Sequence, residues 1–242
     1  MKLPRIFTGC LYSLATWLLA AASLAGCGGG GSAAGSTDTW VVLGSSTAAG
    51  TGASPGQAWA DRLRAEAVAA RAGIDNRARP GTVTWQAMPA GTARPADRPA
   101  TIASMDIDAV LATRPTLLML ASPTNDTLQG YAADETIANL VALRRRALDA
   151  GTAVVVLSTQ PRNDASAARR ATLRTIDTAM AAEVGACFVA VRAALEGESG
   201  GLSATFDSGD GVHPNDAGHA LIHERLRAVV TAHLADGRCG GR

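Results

Sequence analysis

The sequence is poor in aromatic residues, with three Phe, four Trp and two Tyr among 242 positions. Three of them, Phe7, Tyr12 and Trp17, lie in an N-terminal stretch that we interpret below as a removable signal. The rest of the chain has no long apolar insertion. Because deep sites for long apolar ligands are lined by large apolar side chains, this scarcity argues mildly against a lid or a long tunnel.

An excess of charge of either sign is also missing. The chain has 22 Lys and Arg against 21 Asp and Glu, and loss of residues 1–26 would remove only Lys2 and Arg5, leaving 20 basic residues (22 − 2). A chain so balanced has no electrostatic footprint for nucleic acid, and we predict no nucleic-acid partner. The length and the 47% hydrophobic content fit one domain with a short appendage.

Cysteine is scarce as well, with four residues whose spacing fits no metal site, and we predict no bound metal. Two of them, Cys187 and Cys239, could pair in an oxidising compartment and tie the C-terminal tail to a late strand. They fit equally well as free thiols, because sequence separation does not say whether two Cα atoms approach closely enough.

The N-terminus has the pattern of an export signal. Lys2 and Arg5 form a charged start, and residues 11–22 supply an apolar middle that is short for a permanent membrane span. The stretch ends Leu24-Ala25-Gly26-Cys27, which resembles the lipobox of bacterial lipoproteins. The alternative is plain secretion, with Cys27 incidental.

The lipobox resemblance implies a signal peptide over residues 1–26 and lipidation of Cys27. It makes the protein an exported, membrane-anchored lipoprotein at the periplasmic face. The outer membrane is favoured in a two-membrane host, because Gly28 is not the aspartate of an inner-membrane retention signal. Residues 27–38, rich in Gly, Ser and Ala, predict a flexible tether before a folded domain at 39–242.

Four short runs in that domain are apolar without alternation, which predicts strands buried on both faces of a parallel sheet. The runs are residues 40–43, 116–120, 153–157 and 188–191, and a weaker strand signal covers 74–76. Apolar stripes at helical spacing predict helices between and after them. These cover residues 57–72, 132–150 and 165–184, with shorter ones at 83–88 and 107–112, and a final helix capped by Asn215.

Strands that alternate with helices predict an α/β fold. We expect a three-layer sandwich, with a central, mostly parallel sheet of about five strands and helices on both faces. Residues 192–211 predict a long, glycine-rich loop.

Ser46 follows the first predicted strand, within a turn that starts at Gly44 and ends at Gly50. Chemistry on open α/β sheets gathers at this end of a strand. A serine hydroxyl is a poor nucleophile alone, so a catalytic interpretation requires a base elsewhere in the chain. The alternative is that residues 45–47 only cap the next helix.

Any histidine base must come from the C-terminal end, because all four histidines lie beyond residue 212. Only His213 falls on a predicted loop, three residues after Asp210. That carboxylate can accept a hydrogen bond from Nδ1 and leave Nε2 free to take a proton. The pair also fits a turn and helix-cap cluster. His219 and His223 share a helix face, but without a third metal ligand we interpret them as surface or packing residues.

Four blocks in this order resemble those of the SGNH, or GDSL-type, serine hydrolases. They are Gly44-Ser45-Ser46-Thr47-Ala48-Ala49-Gly50, Asn76-Arg77-Ala78-Arg79-Pro80-Gly81, Thr124-Asn125-Asp126 and Asp210-Gly211-Val212-His213-Pro214-Asn215. The resemblance implies a flavodoxin-like fold and a catalytic triad of Ser46, His213 and Asp210. It also implies an oxyanion hole formed by Ser46, Gly81 and Asn125, with no cofactor.

Two positions depart from the family pattern. Ser45 stands where the family has aspartate, which puts the geometry of the serine loop in question. Pro123 stands where the third block has glycine, which puts the approach of Asn125 in question. We interpret Asp126 as a structural residue that bonds its own loop.

The family resemblance predicts an extracytoplasmic serine esterase acting on carboxylic esters. We expect short acyl groups, acetyl above all, on carbohydrate or small-molecule substrates. Trp85, Tyr131 and Phe206 would be placed to stack on a sugar or simply to pack. Two alternatives stay open: a lysophospholipase or thioesterase type of lipid hydrolase, and an envelope lipoprotein that binds glycan with its serine idle.

Overall fold

The computed structural model describes residues 38–121 and 123–241. The predicted signal peptide, Cys27 and nearly all of the predicted tether lie outside these residues. Five strands form one parallel sheet in the order β2-β1-β3-β4-β5. Their bounds are β1 (Asp38–Leu43), β2 (Ala72–Asn76), β3 (Leu117–Ala121), β4 (Ala153–Leu157) and β5 (Phe188–Val189).

Helices cover both faces of the sheet. They are α1 (Trp59–Arg62), α2 (Arg64–Ala69), α3 (Ile107–Leu111), α4 (Asn125–Leu128), α5 (Ala133–Asp149), α6 (Ala167–Val184), α7 (Arg192–Leu195) and α8 (Asp216–Asp236), with 3₁₀ turns at Thr84–Ala87 and Gly185–Cys187. Helix α5 packs against α6, and α1 packs against α8. In the sheet, β2 lies on one side of β1, and β3, β4 and β5 lie on the other side. Because connections between parallel strands are right-handed, the α1–α8 pair and the α5–α6 pair lie on opposite faces of the sheet. The predicted three-layer α/β fold is confirmed.

The core lies where the sequence is apolar without alternation. Val41, Leu118 and Val155, on the three central strands, are completely buried. Because helices cover both faces of the sheet, the side chains of these strands are shielded from water on either face. The strands therefore do not alternate between apolar and polar residues. The predicted cap of the last helix is also present, since the Asn215 side chain accepts from the N–H groups of Ala217 and Gly218.

Three predicted elements differ from the structure. The helix expected at 57–72 is two short helices that end before Arg71, whose φ of 58° turns the chain into β2. The strand expected at 188–191 ends at Val189, because the N–H groups of Val191 and Arg192 bond to the Ser158 hydroxyl instead of to β4. The loop expected at 192–211 begins with α7.

The C-terminal tail is fastened to the sheet. Cys187 and Cys239 form a disulfide with a Cα–Cα distance of 5.5 Å, so the pairing alternative is the correct one. The N–H of Val154 also donates to the Cys239 carbonyl, at 3.1 Å. No helix in residues 38–121 or 123–241 is long and apolar enough to cross a membrane.

Candidate active site

All the candidate residues lie on connections near the carboxyl ends of the strands, which meet at one edge because the sheet is parallel. We name the three principal segments the Ser46 turn (residues 44–52), the β4–α6 loop (158–166) and the His213 loop (207–214). The first follows β1, the second follows β4 and the third leads into α8.

The Ser46 turn depends on glycine and on its own backbone. A Cβ on Gly44 would lie 2.7 Å from Cβ of Ala48 and 2.9 Å from Cβ of Ala121, so no larger residue fits there. The N–H of Thr51 closes the turn on the Ser46 carbonyl at 2.9 Å. The capping alternative is wrong, since the N-cap of α1 is Ala58 and lies well beyond the turn.

Three predicted catalytic residues come together at this edge. His213 Nε2 lies 2.8 Å from Ser46 Oγ, and His213 Nδ1 lies 2.5 Å from Asp210 Oδ2. The other oxygen of Asp210 accepts from the N–H groups of Val212 and His213, both at 2.8 Å. Asp210 therefore stabilises its turn and orients the imidazole at the same time. Both interpretations of the Asp210–His213 pair, as a turn cluster and as a base with its carboxylate, fit the structure.

The electrostatics keep Asp210 ionised. Partial burial alone would raise the pKa of Asp210, but hydrogen bonds from the His213 ring and from two backbone N–H groups outweigh it. The net result holds the pKa of this carboxyl well below its usual range. A permanent negative charge behind Nδ1 stabilises the imidazolium that forms when Nε2 takes a proton.

Asn125 reaches the Ser46 turn in spite of Pro123. Its side-chain Nδ2 donates to Ser45 Oγ at 2.8 Å and to the Thr82 carbonyl at 2.9 Å. Ser45, buried at the family's aspartate position, therefore accepts a hydrogen bond from Asn125 through its hydroxyl. Neither Ser45 nor Pro123 therefore prevents the approach of Asn125. The amide bonds to Ser45, which precedes Ser46, and to Thr82, which follows Gly81.

Two backbone donors belong to the residues next to the partners of this amide. The N–H groups of Ser46 and Gly81 donate to no acceptor in the described part of the chain. Gly81 has a φ of 79°, and a Cβ there would meet open space, so glycine is needed for its conformation rather than for room. The N–H of Arg79 and the hydroxyl of Thr82 both bond to the Gly44 carbonyl at 3.1 Å, which holds the Gly81 segment beside the Ser46 turn.

The comparison with protein families agrees with this geometry. Residues 42–221 match the model of the GDSL-like lipase/acylhydrolase family. The chain belongs to this family. It is therefore a serine hydrolase that acts on esters. A comparison with curated protein sequences gives no match.

Solved structures share the fold of this GDSL-family hydrolase at low sequence identity. The esterase EstA of Pseudoalteromonas sp. is 18% identical, covering 82% of this chain and all of its own, with a TM-score of 0.59. A G-D-S-L lipolytic protein of Veillonella parvula is 19% identical, with 80% and 98% covered and a TM-score of 0.61. An acetyl esterase mutant with bound acetate is 16% identical, with 83% and 99% covered and a TM-score of 0.61.

The β4–α6 loop supplies contacts to the hydrolase site that the sequence analysis missed. The Arg162 guanidinium, nearly buried, donates to Thr124 Oγ1 at 2.9 Å and to Asn125 Oδ1 at 3.3 Å. It is also paired with Asp164 at 2.7 Å. Because the Asn125 oxygen faces a cation, its NH₂ group must face Ser45. The position of these residues in the sequence could have indicated their role, because they follow a predicted strand that ends at the same edge of the sheet.

The hydrolase's Ser46 turn also contacts α8, through His219, and the His213 loop, through Gly52. His219 is completely buried and uses both ring nitrogens, with Nε2 on the Thr51 carbonyl at 3.1 Å and Nδ1 accepting from the Trp59 N–H at 3.2 Å. Burial lowers the pKa of His219. Gly52 allows the His213 loop to approach, because a Cβ there would lie 2.3 Å from the Pro214 carbonyl oxygen.

Other candidates have structural roles in the GDSL-family fold. Asp126 is buried and has a structural role, as predicted, but its partner is not in its own loop, since both its oxygens accept from the Thr84 N–H. Burial raises the pKa of Asp126 to about 6. Trp85 is buried. The Arg98 guanidinium lies over the Tyr131 ring, with its Cζ 3.6 Å from the ring centroid. Residues 38–121 and 123–241 contain no group of three or more potential metal ligands.

Proposed function

We propose that this GDSL-family hydrolase is an extracytoplasmic esterase that removes short acyl groups, acetyl above all, from carbohydrate or small-molecule esters. The observation that carries the proposal is the hydrogen bond between Ser46 Oγ and His213 Nε2, at 2.8 Å, with Asp210 behind the ring. The three groups provide a nucleophile, a base and an orienting carboxylate in the arrangement that acyl transfer requires.

The reaction starts when Ser46 Oγ attacks the ester carbonyl carbon and His213 Nε2 takes the hydroxyl proton. Negative charge then develops on the carbonyl oxygen. The N–H groups of Ser46 and Gly81, which donate to no acceptor among the described residues, would donate to it, and the Asn125 amide can exchange a protein acceptor for this oxyanion. His213 returns its proton to the leaving alcohol, which leaves an acyl group on Ser46.

Deacylation repeats these steps with water. His213 Nε2 removes a proton from the water as its oxygen attacks the acyl carbon, and the same donors stabilise the second oxyanion. Protonation of Ser46 Oγ by His213 then releases the acid. Asp210 stays ionised throughout because its pKa lies well below the usual range.

The preference for short acyl groups is supported by the space beside Ser46. A cavity of about 30 Å³ is lined by Ser46, Pro123 and Ser158, with Leu157 and Ile222 in its wall. Such a volume holds about one or two groups the size of a water molecule, which suits the methyl of an acetyl group. The structural neighbour that is an acetyl esterase with bound acetate adds support.

An acyl-length series tests both parts of the proposal. Protein lacking residues 1–27 should hydrolyse p-nitrophenyl acetate faster than the butyrate and far faster than the octanoate. Ser46→Ala should lower kcat by at least about 10⁴-fold while the circular dichroism spectrum is unchanged. Equal hydrolysis by Ser46→Ala would refute the nucleophile, and a preference for octanoate would favour the lipid hydrolase. Wild-type protein that is inert towards every ester but binds glycans would favour an idle serine.

The proposed location rests on the N-terminal lipobox and is supported by the Cys187–Cys239 disulfide, since such bonds persist in oxidising compartments. In bacteria, Cys27→Ser should move the full-length protein out of the detergent phase in phase partitioning. Cys10→Ser is the matched control, because it removes a thiol from the same signal and should leave partitioning unchanged. Detergent-phase Cys27→Ser protein would count against the lipid anchor.

A further inference from the structure

One side chain links the two loops that carry the reacting pair. Gln160, in the β4–α6 loop, accepts a hydrogen bond at Oε1 from the Thr47 hydroxyl and donates from Nε2 to the Val212 carbonyl at 2.7 Å. Thr47 directly follows Ser46, and Val212 directly precedes His213. The amide of Gln160 therefore connects the neighbour of the nucleophile to the neighbour of the base.

The direction of these bonds fixes the amide. The Val212 carbonyl can only accept, so it must face the NH₂ group of Gln160, and the Thr47 hydroxyl then donates to the remaining oxygen. The backbone reinforces the link, because the N–H of Asn163 donates to the Gly211 carbonyl at 2.7 Å. The β4–α6 loop thus holds the His213 loop at two consecutive residues.

Asp210 cannot perform this task. It lies on the same loop as His213, so it orients the ring within the loop and moves with it. The distance from Nε2 to Ser46 Oγ depends on contacts between separate loops. Gln160 makes such a contact with a hydrogen bond at each end, and the two ends lie next to the two reacting residues.

We propose that Gln160 is a positioning residue that sets the distance between Ser46 Oγ and His213 Nε2, an inference that rests on the proposed esterase function. A displacement of about 1 Å between reacting groups can lower the rate by about 10²-fold. Gln160 and Thr47 also line the cavity beside Ser46, so a replacement must keep the volume of the side chain. Loss of the Gln160 bridge at constant volume should therefore lower kcat with little change in KM. The pH midpoint of the activity should also stay unchanged, since the Asp210–His213 pair is preserved.

The test compares five variants with p-nitrophenyl acetate as substrate. Gln160→Met has a similar length and no hydrogen bonds, and it should lower kcat about 10- to 100-fold at unchanged KM and melting temperature. Thr47→Val should lose part of that activity, Thr47→Ser should recover it, and the Thr47→Val, Gln160→Met double variant should be no worse than Gln160→Met. Gln129→Met makes the same change at an exposed glutamine and should behave as wild type.

A crystal structure of Gln160→Met gives a second readout that needs no activity. The Ser46 Oγ to His213 Nε2 distance should increase beyond hydrogen-bond range. An unchanged distance, a wild-type kcat, or a rise in KM with altered acyl preference would overturn the positioning role. If wild-type protein and Ser46→Ala are equally inert, the esterase function fails, while the distance in Gln160→Met still decides whether the bridge holds the two loops together.

Discussion

The Ser46 turn and the His213 loop meet at one point but are held in different ways. The Ser46 turn is part of the core: Gly44 packs on β3, Ser45 is buried, and the Thr51 carbonyl is bonded by the buried His219. The His213 loop lies at the surface, where the Asp210 side chain is 49% exposed. Much of its bonding is local, as in the 3.0 Å bond from the Ser208 N–H to the His213 carbonyl.

The difference separates stability from activity. Removal of a buried partner from the Ser46 turn leaves an unsatisfied polar group or a cavity, so folding suffers. In the exposed His213 loop, water can hydrate the polar groups that a substitution leaves without a partner. Substitutions there should therefore affect the reaction far more than the free energy of unfolding. Substitutions in either segment can break this contrast.

Apart from Ser46→Ala, Asp210→Asn should give the largest loss of activity, because the neutral amide no longer stabilises the imidazolium or fixes the tautomer. We expect kcat to fall about 10⁴-fold, with little change in melting temperature since the site is exposed. Thr205→Ala, just before this loop, is the control and should retain activity, because the structure gives the Thr205 hydroxyl no hydrogen bond to any described residue. A large fall in melting temperature for Asp210→Asn would contradict the proposal that the His213 loop contributes to activity and the Ser46 turn to stability.

Asn125→Ala should lower kcat about 10²- to 10³-fold, as is typical for loss of one oxyanion donor. Asn125→Asp tests the sign of the interaction, because a carboxylate cannot donate and would repel the developing oxyanion. It should be at least as damaging when kcat is measured at neutral pH. Wild-type kcat in either variant would remove Asn125 from the oxyanion hole.

His219→Ala should destabilise the protein by about 2–4 kcal/mol, because it opens a cavity and leaves the Trp59 N–H without a partner. The melting temperature should fall by several degrees, while kcat measured well below it should change far less than in Asp210→Asn. His219→Gln can replace both hydrogen bonds and should recover most of the stability. An inactive but fully stable His219→Ala protein would contradict this division of roles.

The smallest effect concerns pH. The pKa of His219 is lowered by burial, so its contribution to stability is present above the unfolded-state pKa and is lost as the pH falls below it. Burial raises the pKa of Asp126 to about 6, so its contribution has the opposite sign and grows as the pH falls through that value. Between pH 7 and 5 the two oppose each other.

Melting temperatures of matched variants separate the two groups. Relative to wild type, the change in melting temperature from pH 7 to pH 5 should be more positive in His219→Gln. It should be more negative in Asp126→Asn, which no longer gains stability on protonation. Shifts of the reverse sign would show that other groups control stability in this range.

Patterns local in the chain predicted most of the fold and the residues that the structure brings together at the candidate site. An apolar run without alternation reports burial on both faces, and this located the sheet. Ser46, Asp210 and His213 were predictable because each lies in a short motif whose turn chemistry is written in adjacent residues, and Asn125 because it follows a strand.

The rest needed the packed molecule. Gln160, Arg162 and His219 act through partners 37 to 168 residues away, and nothing beside them in sequence marks a glutamine, an arginine or a histidine as a link. The pairing of Cys187 with Cys239 likewise required the 5.5 Å approach of their Cα atoms. The order of the amino acids was enough to predict which residues are apolar, which turn and which are candidates to react. Tertiary structure decided which side chains hold them together, because hydrogen bonds over such separations exist only once the sheet and helices have packed.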